Sequence, residues 1–149
     1  MRAVPTVYRG KRFRSRLEAR FVAELDKRGI HWRYEPKRVG KDEQYLLDFY
    51  LPDCRCWVEV KGKLSALDED QLSRIGYQLL EKREQLFVFM SDDAYQIVAG
   101  EFNRLSHERF WSILTALLAV KERAAQNMSP AQRPNPPQPV LMGHGKRRN

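Results

Sequence analysis

The sequence predicts an α/β fold whose αβββαβ core is followed by a C-terminal helix. Three observations carry that prediction. Apolar residues recur at helical spacing in three separated segments, 15–28, 65–82 and 106–126. Between the first two lie short aromatic-rich runs bounded by Gly, Pro and Asp, the pattern of strands and turns. A continuous apolar run, Leu86-Phe87-Val88-Phe89-Met90, then suits a buried central strand. With 149 residues, 42% apolar and 31% charged, the chain has material for about one domain and one core.

Each element has a local reason. Leu17, Phe21, Val22 and Leu25 make one helical face, opened by Ser15 and closed before Gly29. Ile30, Trp32 and Tyr34 alternate with His31 and Arg33, which predicts a first strand over 30–34, closed by Pro36. After a polar stretch, residues 44–51 form a second strand, Pro52–Arg55 a turn, and residues 56–61 a third, together a β-hairpin. Ser65 and Asp68 have capping-box spacing, and Leu67, Leu72, Ile75, Leu79 and Leu80 carry a helix to about Lys82. Residues 94–100 fit either a strand or a turn into a helix. Ser106 caps a last helix in which Phe110, Ile113, Leu114, Leu117, Leu118 and Val120 give a broad apolar face for the sheet or a subunit contact. Five of the eight prolines follow Ser129, without apolar periodicity, so residues 127–149 read as a disordered, proline-rich basic tail.

Charge is unevenly distributed. Residues 1–41 carry thirteen Lys/Arg against four Asp/Glu, whereas residues 42–128 carry ten against fifteen. Arg9, Lys11, Arg12, Arg14, Arg16 and Arg20, interleaved with Tyr8 and Phe13, suit phosphate contacts, and residues 1–14 read as a flexible basic arm that orders on DNA. No run approaches the roughly 20 apolar residues of a membrane span, and the N-terminus lacks a signal-peptide apolar segment, so a soluble cytoplasmic protein is expected. Cys54 and Cys56, one residue apart, offer no disulfide framework and fit a reducing compartment. With only His31, His107 and His144 besides them, they make a poor zinc set.

The acidic middle concentrates the chemistry. In the third strand Trp57, Glu59 and Lys61 share one face, and Cys56, Val58 and Val60 the other. Charges at the end of an apolar strand are costly unless they are paired or bind a metal. The turn at 52–55 folds Asp48, itself between apolar residues, back beside Glu59. Two converging carboxylates make a hard-oxygen site suited to Mg²⁺, and Lys61 can position a water or stabilise charge on a phosphorane. Glu18 is a third carboxylate; its ordinary reading is the capping box of Ser15-x-x-Glu18. Lys63 suits a backbone-phosphate contact, Gln71 and Gln78 lie on the helix after Lys61, and Trp57 reads as a packing residue.

Together, Leu17-Glu18, Gly29-Ile30, Trp32-Arg33-Tyr34-Glu35, Asp48-Phe49-Tyr50-Leu51-Pro52 and Val58-Glu59-Val60-Lys61-Gly62 resemble the PD-(D/E)xK nuclease superfamily. The similarity is closest to phage endonuclease I-type Holliday-junction resolvases and covers roughly residues 15–90. One departure is Leu47, where a proline usually precedes the aspartate. The resemblance implies a restriction-endonuclease-like core, with a central mixed sheet flanked by helices, over residues 15–126. It implies Mg²⁺ dependence, with Mn²⁺ as a substitute, and a metal held by Asp48, Glu59 and the Val60 carbonyl. Glu18 would bind or orient a second metal, and Lys61 would act on the water. The expected function is a metal-dependent endonuclease of branched or junction DNA in a bacterial or phage-infected cell. The alternative is a nuclease-fold DNA-binding subunit of a larger recombination, transposition or packaging complex. RNA as substrate stays open, and a homodimer is a further expectation because two-strand cutting favours two sites.

Overall fold

The computed structural model describes residues 3–128 and residue 131. It is a mixed α/β architecture with three helices, a six-stranded mixed sheet and two short two-stranded ribbons. The chain runs β1 (Thr6–Tyr8), β2 (Lys11–Phe13), α1 (Arg16–Lys27), β3 (Arg33–Tyr34), β4 (Arg38–Val39), a 3-10 turn (Lys41–Glu43), β5 (Tyr45–Leu46), β6 (Phe49–Leu51) and β7 (Cys56–Val60). It continues through α2 (Ala66–Glu81), β8 (Gln85–Phe89), β9 (Ala94–Val98), β10 (Glu101–Leu105) and α3 (His107–Gln126). The main sheet has the order β10-β9-β8-β7-β6-β3, and only β7 and β8 pair in parallel, joined by the α2 crossover.

All five residues of β7 are buried, because both faces of the sheet are covered. Cys56, Val58 and Val60 join the core made with α1 and α3, where Phe21 lies 4.9–6.1 Å from the rings of Phe49, Phe89, Phe110 and Trp111. Trp57 joins the other core, with Leu72, Ile75 and Leu79 of α2. Burying each such large apolar side chain contributes roughly 1.5–3 kcal/mol, which holds β7 in place while its Glu59 stays on the α2 side.

Local chemistry explains the ends of the elements. Both capping boxes form: Ser15 with Glu18 at α1, and Ser65 with Asp68 at α2. Helix α1 closes in a Schellman motif, with Gly29 N–H donating to Asp26 O and Ile30 N–H to Leu25 O; Gly29 takes φ +67° to do so. That use of Ile30 shortens the first strand of the main sheet to Arg33–Tyr34, against the expected 30–34.

Other expectations are corrected. Of the flexible arm expected over residues 1–14, residues 6–13 are ordered. Residues 6–13 form a hairpin turned by Arg9 and Gly10, both at positive φ, and Phe13 is fully buried against Trp32, Tyr34 and Phe49. The expected strand over 44–51 breaks at Leu47–Asp48: β5 leaves to pair with β4, and only β6 stays in the main sheet. Residues 94–100 begin a strand hairpin, and its partner β10 is an edge strand whose polar composition hid it. On α3, Phe110, Trp111 and Leu114 are buried, but Val120 is 62% exposed, so the covered face is narrower than the spacing suggested. Most of the proline-rich tail lies outside the described residues. Among the described residues, no helix is long and apolar enough to cross a membrane.

Candidate active site

The strand pair β6–β7 is in register through Phe49↔Val58, Tyr50↔Trp57 and Leu51↔Cys56. One step further, backbone pairing gives way to carboxylates. Asp48 N–H donates to Glu59 Oε1 at 3.2 Å, and Val60 N–H donates to Asp48 Oδ2 at 2.7 Å. Each strand's amide is thus capped by the other strand's acid, and this exchange lets the chain fork from β7 into β5. On its other edge Asp48 still accepts from Glu35 N–H at 2.8 Å.

Glu18, Asp48 and Glu59 are the buried charged residues among those described, at 4%, 6% and 4% exposure. Burial of charge is expensive without compensation, and here compensation is partial. Burial, then the hydrogen-bonded and negatively charged Glu59 beside it, pushes the Asp48 carboxyl up to about 8, against the opposing pull of the Val60 amide and Arg14. Burial and the Asp48 charge likewise raise Glu18, opposed by backbone amides and Arg14. Glu18 still makes its capping box, accepting from Ser15 N–H at 3.0 Å, and it also receives the Tyr34 hydroxyl at 3.3 Å. The capping and clustered readings of this residue are therefore compatible.

Two side chains flank the acidic pair. Arg14 sits 3.7 Å from Asp48 Oδ1, pairs with Glu35, and donates from Nε to the Tyr34 hydroxyl at 3.4 Å. Opposite it, the Tyr45 hydroxyl donates to Glu59 Oε2 at 2.7 Å. Burial, followed by the neighbouring Glu59, raises the Tyr45 hydroxyl far above its ordinary value, so it remains a donor across the physiological range.

Lys61 has a partner that strand periodicity did not announce. Its amide donates to Phe89 O at 3.0 Å, and its Nζ lies 3.5 Å from Asp68 Oδ1, at the N-terminus of α2. Asp68 is held below its ordinary range mainly by the Ser65 amide, with Lys61 adding to this. The three-acid metal set of Glu18, Asp48 and Glu59 is not gathered as such. Among the described residues, no group of three or more His, Cys, Asp or Glu side chains is arranged to hold a metal ion. The Asp48–Glu59 pair alone is in contact, and an all-oxygen pair short of positive charge fits a small hard cation that takes one or two carboxylates and completes its shell with water and phosphate.

The basic residues also divide. Arg14 belongs to the acidic cluster, although it was expected in the DNA-binding arm. Arg9 pairs with Asp26 at 3.6 Å, and Lys11 lies over the Trp32 and Tyr34 rings at 5.2 and 5.3 Å. Arg12, Arg16 and Lys63 are exposed. Trp57 is buried in the core, as a packing residue. His107 is not merely a surface cap: its Nε2 lies 2.7 Å from Met90 O, and its ring stacks on Phe89 at 4.3 Å.

The site residues that sequence reasoning missed are Tyr34, Glu35, Tyr45 and Asp68. Asp68 had been placed only as a cap, and its position seven residues after Lys61, on a helix returning over the strand end, was the available signal. Tyr45 had none, because its approach to Glu59 depends on the break at Asp48. No family model, curated protein or solved structure matches the chain.

Proposed function

We propose that this chain is a metal-dependent DNA endonuclease of the PD-(D/E)xK type, hydrolysing phosphodiesters at branched or junction DNA. The observation that carries the reading is the placement of the buried charges. Among the described residues they are Glu18 on α1 and, at the fork between β6 and β7, Asp48 and Glu59, with Lys61 two residues after Glu59. A fold does not bury like charges together for stability, so their concentration at one strand end points to chemistry. The order α1, β3, β6, β7, α2, β8 supports the αβββαβ core of that superfamily, with the two ribbons and β9–β10 as additions.

In this mechanism Asp48 and Glu59 would hold a Mg²⁺ or Mn²⁺ ion. When bound, the ion polarises the phosphate and acidifies a water. Tyr45 fixes the Glu59 rotamer through Oε2, and the Val60 amide fixes Asp48 through Oδ2. Glu18 holds Tyr34, and through it the Arg14 guanidinium, beside Asp48. Lys61 supplies positive charge toward the phosphate as the pentavalent species develops, which requires it to leave Asp68. Exposed Arg12, Arg16 and Lys63 supply phosphate contacts along the DNA backbone.

The alternative is a nuclease-fold DNA-binding subunit of a recombination, transposition or packaging complex. It is favoured by the same Lys61–Asp68 ion pair, which engages the lysine with an acid outside the Asp48–Glu59 pair. The test is incubation of the purified protein with a four-way junction, a linear duplex and a supercoiled plasmid, in Mg²⁺ or EDTA, beside a Glu59→Ala/Lys61→Ala double variant. Cleavage that requires Mg²⁺ and is lost in the variant is expected. Equal DNA binding by both proteins without cleavage would move the assignment to the binding subunit.

A further inference from the structure

A cleft of about 330 Å³ opens between the 3-10 turn region and α2, next to the acidic pair. Val39 and Ile75 form its apolar floor. From α2, Gln71, Arg74 and Gln78 share the face that lines it, three and four residues apart, and from the other wall come Lys41, Asp42, Gln44 and Tyr45, so that two cations line the cleft against one carboxylate. Tyr45 belongs to both places, because it lines the cleft while its hydroxyl is anchored on Glu59 at 2.7 Å. Gln78 is already oriented: its Oε1 accepts from Lys41 N–H at 2.8 Å, which leaves its NH₂ to donate elsewhere. The approach is close, since a Cβ on Gly40 would lie 3.1 Å from that same Oε1.

We propose that this cleft is a subsite for one unpaired nucleotide of the DNA substrate, next to the cut phosphate. The reading rests on the nuclease assignment and sharpens its substrate class. The lining selects the ligand. Side-chain amides present donor and acceptor in one plane, which matches the edge of a base, and an apolar floor accepts its π-face. Lys41 and the Arg74 guanidinium, the latter exposed and paired with Asp70 on its own helix, suit the phosphate. A peptide side chain would not need three amides and two cations, and a bare phosphate would not need the floor. The volume is near the lower end of small-ligand pockets, which run from about 300 Å³, and it excludes a paired base step. A nucleotide reaches such a site only if it is unpaired or extruded, which costs least at a flap, bulge or branch.

The test measures binding in EDTA, so that it does not depend on catalysis. Affinities are compared for a duplex carrying a single-nucleotide flap with 2-aminopurine at the unpaired position and for a nicked duplex of the same length and sequence. The wild-type protein is expected to prefer the flap by about tenfold, the scale of one stacked or hydrogen-bonded base, with a change in 2-aminopurine fluorescence. A Gln71→Leu/Arg74→Leu variant, with its melting temperature checked, is expected to bring the two affinities within about twofold of each other. Equal wild-type affinities, a preference that survives in the variant, or no binding of either DNA would overturn the proposal. If the preference holds and no Mg²⁺-dependent cleavage occurs, the nuclease assignment falls and the cleft stands; cleavage without the preference has the reverse meaning.

Discussion

Asp48 and Asp53 flank the three residues of β6, and the fold treats them in opposite ways. Asp53, in the turn after the strand, has Lys121 Nζ of α3 at 2.7 Å from one oxygen and His31 Nδ1 at 2.6 Å from the other. Desolvation pushes its carboxyl up, but hydrogen bonds from Lys121 and His31 outweigh this and hold it below the ordinary range. Asp48, before the strand, is buried beside Glu59, and its nearest cation, Arg14, is 3.7 Å away and shared with Glu35. Its carboxyl is driven up to about 8. One aspartate ties the turn to α3. The other is left short of positive charge, in a position that gains by receiving a cation from outside the chain. Two residues of the same type, five apart, thus meet opposite surroundings, one tied into the architecture and the other carrying the proposed chemistry, and the partners supplied by distant segments make the difference.

Substitution at Asp48 should show the largest contrast. Asp48→Asn is expected to lower Mg²⁺-dependent cleavage on the order of a thousandfold while the melting temperature holds or rises, because the acceptor for Val60 N–H is kept and no ionisable carboxyl has to be buried beside Glu59. A clear fall in melting temperature would place Asp48 among the structural acids and break the comparison.

The two aspartates should also respond to pH with opposite sign. The folded-state value of Asp48 is raised from 3.8 to about 8, so the folded state binds the extra proton between these limits. In EDTA, the contribution of this group to stability is full below about pH 4 and is lost as pH rises toward about 8. Asp53 is lowered, so its contribution is present above its ordinary value of 3.8 and is lost as pH falls through its folded value. Urea denaturation across the neutral and acid range reads both slopes, and Asp48→Asn should flatten the first while leaving the second. A stability that rises from pH 5 to pH 8 in EDTA would contradict the placement of Asp48.

The smallest effect is expected at the other end of β6. Lys121 and Asp53 are both partly exposed, so Lys121→Ala should cost at most about 1 kcal/mol, weaken with added salt, and leave cleavage unaltered. A loss of activity in this variant would mean that α3 is coupled to the site, and that the two ends of β6 are not independent.

Much of the candidate site could be read before any coordinates. The turn at Pro52–Arg55 and the alternation along 56–61 place Asp48 opposite Glu59, and the backbone-to-carboxylate bonds at 3.2 and 2.7 Å bear out that convergence. Ser15-x-x-Glu18 declared its capping box, and the structure adds the burial that the motif cannot express. The partner of Lys61 was not legible for a physical reason. Strand periodicity gives the face of a side chain but not the direction of a flexible four-carbon stem, and Asp68, brought over by the α2 crossover, is the acid that its Nζ meets. Arg14 is exposed, as a surface cation should be, but its pairing with Glu35 and Asp48 was not legible, because nothing near it in sequence shows that Phe13 is anchored in the core beside Tyr34.

What the sequence by itself determined is therefore short-range: three helices with their caps, the β6–β7 turn, the central apolar strand β8, and two carboxylates folded toward each other. Each follows from side chains within a few residues, through spacing, capping bonds and turn preference. Only the tertiary structure decided that residues 6–13 are a hairpin with Phe13 in the core, that the expected 44–51 strand splits at Asp48, that Tyr45 reaches Glu59, and that Asp53 and Asp48 meet opposite charge environments. Apart from the local pairings β1–β2 and β4–β5, these depend on contacts between residues 14 to 68 apart. In each, the desolvation of a charge or ring is balanced by partners that local sequence cannot name.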